Sequence, residues 1–258
     1  MKKIELGQTG LQVSRLGLGT DIIHAGGLTQ QDVTEIILKA WELGINFIDT
    51  DRWYDVYPAI AEALPQMERS KLVLATKTYE KTYEKALQDV QYALETLKID
   101  YIDLFLLHAI DSMEQFEETR GALEGLQEAK ARGWIRHIGL SSHDVPTVRA
   151  IAERTEIEVI LAVLNLAGKN MHRSGSRQEM EEAIRRCYES GKGVYIMKPF
   201  ARGRLFDDAN KDKPLLPHQV RQGLEYIFQF PYFHAVVPGM RSIQQVEQNV
   251  ALVEELDK

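Results

Sequence analysis

The residues best suited to chemistry lie in one stretch, residues 46–54. Its first three residues are typical of the end of a short buried strand, and Asp49 stands where that strand leaves the core. Tyr54 follows five residues later in a polar connection. A strand that ends in a carboxylate and leads to a phenol suits acid–base chemistry. On its own, the stretch is explained better by Asp49 capping the next helix and Tyr54 packing on the surface.

Eight short apolar runs, each followed by apolar residues at helical spacing, organise the whole chain. The runs are Leu16–Gly19, Phe47–Ile48, Leu72–Ala75, Leu104–Leu107, Ile135–Leu140, Val159–Val163, Val194–Met197 and Ala235–Val237. The helical stretches are 33–40, 58–64, 87–97, 116–131, 146–154, 177–190, 217–229 and 242–256. Continuous apolar strands separated by helices imply a parallel sheet covered by helices.

Eight such units in 258 residues fit a closed (β/α)8 TIM barrel better than an open doubly wound sheet. The composition shows no break, so we expect one α/β domain over residues 1–258. Turn signals at Gly7 and Gly10 predict a short β-hairpin in residues 1–13, before the barrel.

In such barrels the chemistry lies at the carboxyl ends of the strands. Three consecutive predicted strands end in Asp49, Lys77 and His108. Neighbouring strands lie ~4.8 Å apart, so these three groups are expected within about 10 Å of each other. Tyr54 can reach the same space. Each residue alone has an ordinary explanation, but their joint arrival at one rim favours a catalytic set.

This set suits the protonation of a carbonyl oxygen while hydride arrives at the carbon. We expect Tyr54 to be the acid and the ammonium of Lys77 to lower the pKa of its phenol. Asp49 would hold Lys77 in place, and neutral His108 would donate a hydrogen bond that orients the substrate oxygen. Since none of the four side chains donates hydride, a cofactor must supply it.

Composition excludes several other classes. There are 31 basic and 38 acidic residues, and a formal charge of −7 argues against general affinity for nucleic acid or for anionic membranes. The single cysteine, Cys187, excludes an internal disulfide, gives no metal cluster, and is expected to be a buried thiol on a helix. The first residues lack the apolar run of a signal peptide, and no run of about eighteen apolar residues predicts a membrane span. A cytoplasmic protein is expected.

The four residues resemble the Asp, Tyr, Lys and His tetrad of the aldo-keto reductases, including the five-residue gap. The resemblance covers nearly the whole chain, from residues 6–20 to residues 237–239. It implies reversible, nicotinamide-dependent reduction of an aldehyde or ketone to an alcohol, usually with NADPH. Residues 197–199, Met-Lys-Pro, are similar to one branch whose members carry cysteine-ligated iron–sulfur extensions, but one cysteine excludes that cluster.

The resemblance also implies where a dinucleotide would bind, mainly along the loops after strands five to eight. The implied contacts are Gly19, Thr20, Asp49, Ser141, Ser142, Asn165, Met197, Lys198, Pro199, Phe200, Gly203, Gly239, Arg241, Gln245 and Asn249. Three positions depart from the family pattern around the nicotinamide. Ser142 replaces an Asn, Leu161 replaces a Gln, and Met197 replaces a stacking aromatic.

At the adenosine end, Gly239 and Gln245 stand where strong NADPH binders of the family often carry Lys and Arg. Arg241 is then the candidate to hold a 2′-phosphate, so we expect NADPH, with NADH as the alternative. The loop at residues 55–60 also departs from the family pattern, and the sequence ends at Lys258, just after the eighth helix.

We therefore expect a shallow, open pocket lined by Trp53, Tyr57 and Tyr79 and a small carbonyl substrate. A monomer or small homo-oligomer is expected.

Two other interpretations of the function stay open. The departures around the nicotinamide fit a non-catalytic dinucleotide-binding sensor or regulatory protein of the same fold, although such a protein needs no Tyr54 and Lys77 together. A phosphate-handling barrel isomerase or lyase would use Gly203 and Gly239, but a Tyr, Lys and Asp set is unusual for that chemistry.

Overall fold

The computed structural model describes residues 1–21, 27–171, 175–211 and 213–258. In this part of the chain, strands and helices alternate after a short initial hairpin. The strands are β1 (Lys3–Glu5), β2 (Gln12–Ser14), β3 (Leu18–Gly19), β4 (Phe47–Asp49), β5 (Val73–Thr78), β6 (Ile102–Leu107), β7 (Ile135–Ser142), β8 (Val159–Val163), β9 (Gly193–Met197) and β10 (Ala235–Val237). The α-helices are α1 (Gln30–Glu42), α2 (Tyr57–Ala63), α3 (Tyr83–Leu97), α4 (Met113–Glu118), α5 (Arg120–Ala131), α6 (Val145–Ile151), α7 (Arg177–Glu189), α8 (Pro217–Phe228) and α9 (Ile243–Leu256).

Strands β3 to β10 form one parallel sheet in chain order. Its two edges meet, because parallel bridges join Leu16 to Val236 and Gly19 to Gly239. The amide of Gly17 donates to the carbonyl of Val236 at 2.8 Å across this seam. The eight strands with intervening helices are the predicted (β/α)8 barrel, and β1 and β2 are the predicted hairpin.

The element bounds differ from the expected ones at three functionally relevant places. Strand β5 continues through Thr78, so Lys77 lies within the strand, and β7 continues through Ser142. The expected helix over residues 116–131 is interrupted at Thr119, where α4 ends and α5 begins. The Thr119 hydroxyl donates to the carbonyl of Phe116 at 2.8 Å. Competition of this kind between side chain and backbone interrupts helices.

Several helices begin where the sequence supplies a capping side chain. Thr29 and Asp32 form a capping box at α1, and Ser176 and Glu179 form one at α7. The apolar faces of these helices pack on the outside of the barrel in one continuous core that includes Cys187. The thiol is buried and free, as predicted. Within the described ranges, every helix is too short or too polar to cross a bilayer.

A second apolar cluster fills the inside of the barrel. It includes Phe47, Leu104 and Tyr195 from the strands and Leu6 and Leu11 from the hairpin. The hairpin therefore closes the amino-terminal mouth of the barrel. This leaves the carboxyl mouth, where functional side chains of such barrels lie.

The hairpin turn contacts the barrel at Gly7. This residue has φ of +60°, and a Cβ there would lie 2.2 Å from the amide nitrogen of Gly193, so only glycine fits. The Gly7 amide donates to Nε2 of His234 at 3.0 Å. Nδ1 of the same ring lies 3.0 Å from the amide of Val194 and 3.2 Å from its carbonyl. Acceptance from Gly7 needs a lone pair on Nε2. The contact requires a neutral imidazole.

We predict that this contact makes the fold sensitive to acid. Burial lowers the pKa of His234 from 6.5 to about 4. Between these values the unfolded chain binds the additional proton, so stability is complete above pH 6.5 and falls as the pH approaches 4. The loss amounts to roughly 3 kcal/mol of unfolding free energy. Urea denaturation from pH 4 to pH 8 measures it. His234→Gln should flatten the curve over this interval, and identical curves for the two proteins would contradict the assignment.

Candidate active site

The carboxyl mouth of the barrel contains a buried ion pair between neighbouring strands. Lys77 of β5 donates from Nζ to Oδ1 of Asp49 of β4 at 2.8 Å and to the carbonyl of Thr50 at 2.7 Å. The other carboxylate oxygen, Oδ2, accepts from the hydroxyl of Tyr195 at 2.9 Å. Both charged side chains are buried. Asp49 thus holds Lys77, as the sequence predicts.

Tyr54 reaches this pair from a short 3-10 helix, Arg52–Tyr54. Asp51 caps the helix by accepting from the amide of Trp53 at 2.7 Å. Arg52 of this helix donates from its guanidinium to Oδ1 of Asp89 of α3 at 2.6 Å. Consequently the Lys77 ammonium lies 5.1 Å from the centroid of the Tyr54 ring, over its face.

The pKa of Tyr54 differs from the expected direction. We expected the Lys77 ammonium to lower it, but burial, followed by the negative charges of Asp49, Asp21 and Asp51, raises it well above its ordinary value. The protons of Lys77 are directed at Asp49 and the carbonyl of Thr50, so the ammonium is paired with a carboxylate that also lies near Tyr54. Tyr54 therefore keeps its proton at neutral pH and can donate it.

His108 lies directly after β6 and contacts three neighbours. Its Nδ1 lies 2.7 Å from Oδ2 of Asp51, and its Nε2 lies 3.3 Å from the hydroxyl of Tyr79. The Tyr79 ring stacks on the imidazole with centroids 4.1 Å apart, and Tyr54 meets it edge-on at 6.1 Å. Because a carboxylate only accepts, Nδ1 must carry a proton. Neutral His108 then exposes an acceptor at Nε2, which corrects the expectation that the neutral ring donates to the substrate oxygen.

A cavity of 940 Å³ extends from these residues to helix α9. Tyr54, Lys77 and His108 line one end of it, together with Asp49. Eleven of the fifteen residues implied as dinucleotide contacts also line it: Gly19, Asp49, Met197, Lys198, Pro199, Phe200, Gly203, Gly239, Arg241, Gln245 and Asn249. One continuous cavity thus joins the candidate acid to the loops after β9 and β10.

Four implied contacts are absent from the cavity lining, namely Thr20, Ser141, Ser142 and Asn165. Their side chains form hydrogen bonds with nearby protein groups. Thr20 donates to the carbonyl of Asp49 at 3.1 Å, and Ser141 accepts from the amide of Ala109 at 2.8 Å. Ser142 donates to Asp111 at 3.3 Å, and both ends of the Asn165 amide bond the backbone of Lys169.

A second polar group on the cavity wall joins the predicted contact Lys198 to His143, which was not predicted as a site residue. Nε2 of His143 lies 2.7 Å from Nζ of Lys198. The His143 amide donates to Asp111 at 2.7 Å. Burial lowers the pKa of Lys198, with the nearby charge of Asp21 opposing this. Lys198 itself has φ of +56°, an uncommon backbone conformation for lysine that is typical of functional loops.

Tyr195 and Asp51 are also additions to the expected site. The signal for Tyr195 is a hydroxyl-bearing aromatic within an apolar strand, because such a group needs a buried partner.

The three residues that were expected to line the substrate pocket lie in different surroundings. Tyr57 is buried and its hydroxyl hydrogen-bonds Thr76, so it lines no open pocket. Trp53 is 67% exposed, and Tyr79 covers one face of His108.

Comparison with known proteins identifies the family. A model of the aldo/keto reductase family matches residues 15–225, most of the chain. The chain belongs to this family. The aldo/keto reductase assignment makes the protein an NAD(P)H-dependent oxidoreductase of the carbonyl-reducing type.

Relatives of this aldo/keto reductase differ in their recorded activities. The chain is 26% identical to an L-galactose dehydrogenase of Arabidopsis thaliana over 292 aligned positions, covering 100% of this chain and 90% of that one. It is 28% identical to an NADH-specific methylglyoxal reductase of Escherichia coli over 240 positions, covering 82% and 71%. Among solved structures, the holo form of an aldo-keto reductase from Bacillus halodurans superposes with a TM-score of 0.79 at 25% identity, covering 98% and 91%.

We predict that removing the ammonium destabilises the barrel mouth. Lys77→Met leaves the Asp49 carboxylate buried without its counter-charge, which should lower the unfolding free energy by about 3–5 kcal/mol. Adding Asp49→Asn should restore more than half of that loss, because the second change removes the unpaired charge. Denaturant titration of the single and double variants measures this. Lys71→Met removes an exposed lysine paired with Glu68 and should have little effect. A double variant as unstable as the single one would contradict the electrostatic explanation.

Proposed function

We propose that residues 1–258 form one catalytic barrel that reduces small aldehydes or ketones to alcohols, with Tyr54 as the proton donor. The observation that supports this most is the Tyr54 phenol on the cavity wall, with the Lys77 ammonium over its ring and His108 beside it. A nicotinamide bound in the cavity would supply the hydride for this reduction.

The side chains have separate tasks in this proposal. Negative charge develops on the carbonyl oxygen as the carbon is reduced, and the Tyr54 hydroxyl gives its proton to that oxygen. The phenolate that remains is buried, so it needs a positive neighbour. The Lys77 ammonium, 5.1 Å from the ring centroid, provides one. Asp49 and the carbonyl of Thr50 keep the ammonium in this position.

The residues along the cavity suit a dinucleotide. Its volume of 940 Å³ lies at the upper end of the range of about 300–1,000 Å³ for ligand pockets. Cationic side chains line it near the loop after β9, including Lys198, Arg202 and Lys213, and these would hold phosphate oxygens. Ser242 caps helix α9 at the far end of the cavity, where the helix amino terminus favours a further anionic group.

We predict that Tyr54→Phe removes most of the turnover and leaves dinucleotide affinity nearly unchanged. A general acid contributes about 10²–10⁴-fold, so kcat for a panel of small aldehydes should fall by at least about 100-fold. Fluorescence titration with NADPH and NADH measures the affinity. Tyr92→Phe removes a hydroxyl from a surface tyrosine that is 42% exposed and serves as the control.

Two results would reject parts of this proposal. Retained turnover or lost dinucleotide binding in Tyr54→Phe would mean that Tyr54 has another role. Dinucleotide binding by the unmodified protein without turnover of any aldehyde or ketone would replace the reductase with a sensor. The placement of Ser141, Ser142 and Asn165 away from the cavity lining is the observation that favours this second candidate.

We also propose NADPH as the preferred cofactor, with Arg241 holding the 2′-phosphate. The Arg241 amide donates to the side chain of Gln245 at 2.8 Å, which fixes the start of α9 at the cavity wall. An NADH-specific reductase is among the relatives, so the preference needs a direct test.

Arg241→Ala should weaken NADPH binding by about tenfold or more, because a hydrogen bond to a charged group contributes about 1.5–3 kcal/mol. NADH binding should change less than about twofold, since NADH lacks the phosphate. Titration of each cofactor measures this. Arg221→Ala is the matched control, because Arg221 lines the same cavity but is bound by Glu255 through two hydrogen bonds. Equal weakening of both cofactors by Arg241→Ala would reject the role.

A further inference from the structure

Asp51 is a carboxylate directly behind the side chains that a carbonyl substrate would contact. Its side chain is fully buried. Oδ1 accepts from the amide of Trp53 at 2.7 Å, and Oδ2 lies 2.7 Å from Nδ1 of His108. Within the described part of the chain, no lysine or arginine forms an ion pair with this carboxylate. The charge of Asp51 is therefore balanced only if His108 carries a positive charge.

His108 does not supply that positive charge at neutral pH. Burial lowers its pKa most, the hydrogen bond to Asp51 opposes this, and the charge of Lys77 lowers the pKa further, so the net value lies below the ordinary 6.5. The imidazole then donates from Nδ1 as a neutral ring. Asp51 and His108 together carry one negative charge, and the rings of Tyr54 and Tyr79 lie against this imidazole.

The phenols beside the imidazole lie in the field of this charge. Burial raises the pKa of Tyr54 and of Tyr79 most, and the charge of Asp51 raises the pKa of both further. Asp111, which follows β6, adds to the effect at Tyr79. Negative charge therefore acts on both side chains that flank the imidazole where a substrate would bind.

Other charged side chains near Tyr54 are paired with each other. Lys77 donates to Asp49 at 2.8 Å, and Arg202 lies 3.4 Å from Asp21. Each of these two pairs has no net charge. Neither pair therefore cancels the charge of the carboxylate behind the imidazole.

Lys198 is a further cation on the cavity wall, directly after β9. Its ammonium donates to Nε2 of His143 at 2.7 Å, and it belongs to the cationic side chains that would hold phosphate oxygens. A bound dinucleotide therefore neutralises this lysine. The catalytic end of the occupied cavity then keeps the negative charge of Asp51.

We propose that Asp51 determines the substrate class: the site reduces small carbonyl compounds that are uncharged or cationic, and it disfavours oxo acids. This inference rests on the proposed reductase function. A carboxylate beside a carbonyl that contacts His108 would lie roughly 10 Å from Asp51, across one imidazole ring and two hydrogen bonds. At that separation, repulsion between two like charges near a protein surface corresponds to about a tenfold loss of kcat/KM. A cationic group at the same place is attracted by a similar factor.

Two pairs of matched aldehydes measure this charge preference. Glyoxylate and glyoxylamide have nearly the same size, and the first carries a negative charge. Glycolaldehyde and aminoacetaldehyde also have nearly the same size, and the second carries a positive charge. Steady-state kinetics with saturating dinucleotide give kcat/KM for each compound. The intrinsic reactivity of each aldehyde is the same for every variant, so it cancels when the variants are compared.

Asp51→Asn removes the charge and keeps the shape of the side chain. The amide oxygen can accept from Trp53, and the amide NH₂ can donate to His108. The preference for glyoxylamide over glyoxylate should fall by about tenfold, and the preference for aminoacetaldehyde over glycolaldehyde should fall by a similar factor. A purely structural effect would lower kcat/KM for all four aldehydes alike. Equal factors for all four would mean that Asp51 only supports the helix and the imidazole, and the inference fails.

Asp103→Asn is the matched control. Asp103 is also a buried carboxylate, but it lies near the start of β6, at the other end of the barrel. Five residues of chain separate it from His108, so it lies about 16 Å away. Asp103→Asn should leave both preferences within about twofold of those of the unmodified protein, because this distance exceeds the screening length of about 8–10 Å.

Ligand binding reads the same preference without turnover. Acetate and acetamide are titrated into the protein with NADPH present, and the NMR signals of the His108 ring, assigned by their loss in His108→Gln, are followed. Acetamide should bind about tenfold more tightly than acetate, and Asp51→Asn should remove most of this difference. Tighter binding of acetate by the unmodified protein would overturn the inference. Failure to reduce any of the four aldehydes would instead reject the proposed function, and the two titrations would still decide the charge preference.

Discussion

The buried ion pair between Lys77 and Asp49 is the interaction on which the site depends. Two opposite charges out of water are tolerated only when further hydrogen bonds satisfy them. The carbonyl of Thr50 and the hydroxyl of Tyr195 supply these bonds. Tyr195 lies on β9, five strands away from β4 in the sheet order, and its side chain crosses the barrel interior. The pair is therefore satisfied only when the barrel is closed, which links the chemistry directly to the fold.

A second carboxylate, two residues further on, organises the proton chemistry. Asp49 orients an ammonium, while Asp51 orients an imidazole and caps the helix that carries Tyr54. Burial raises the pKa of Tyr54 most, and the negative charges of Asp49 and Asp51 raise it further. The phenol therefore carries its proton before the reaction and can donate that proton. Loss of its proton becomes favourable only when charge develops on a substrate oxygen close by.

The sequence was sufficient to predict the barrel, the hairpin and the convergence of Asp49, Lys77 and His108 from three neighbouring strands. Those features follow from local patterns, namely apolar runs and the residue after each run. Asp51 was missed because its local pattern is that of a helix cap, and its contact with His108 spans 57 residues of chain. Tyr195 was missed for a related reason, since its partner lies 146 residues away. The direction of the Tyr54 pKa shift also depends on how deeply the phenol is buried and on how near the carboxylates lie to it, which no spacing in the sequence determines.

The barrel mouth has two halves, one built from strand residues and one built largely from the connections between elements. Asp49 and Lys77 lie within strands, so the closed sheet fixes their backbone. Many residues on the other side lie in the connection after β9, where four residues have positive φ, namely Lys198, Ala201, Arg202 and Gly203. Proton transfer requires accurate placement of the donor side chain. A long anionic ligand can be bound by loop residues. Leu161 and Met197, where the sequence departs from the family pattern, lie within β8 and at the end of β9, on the wall of the cavity.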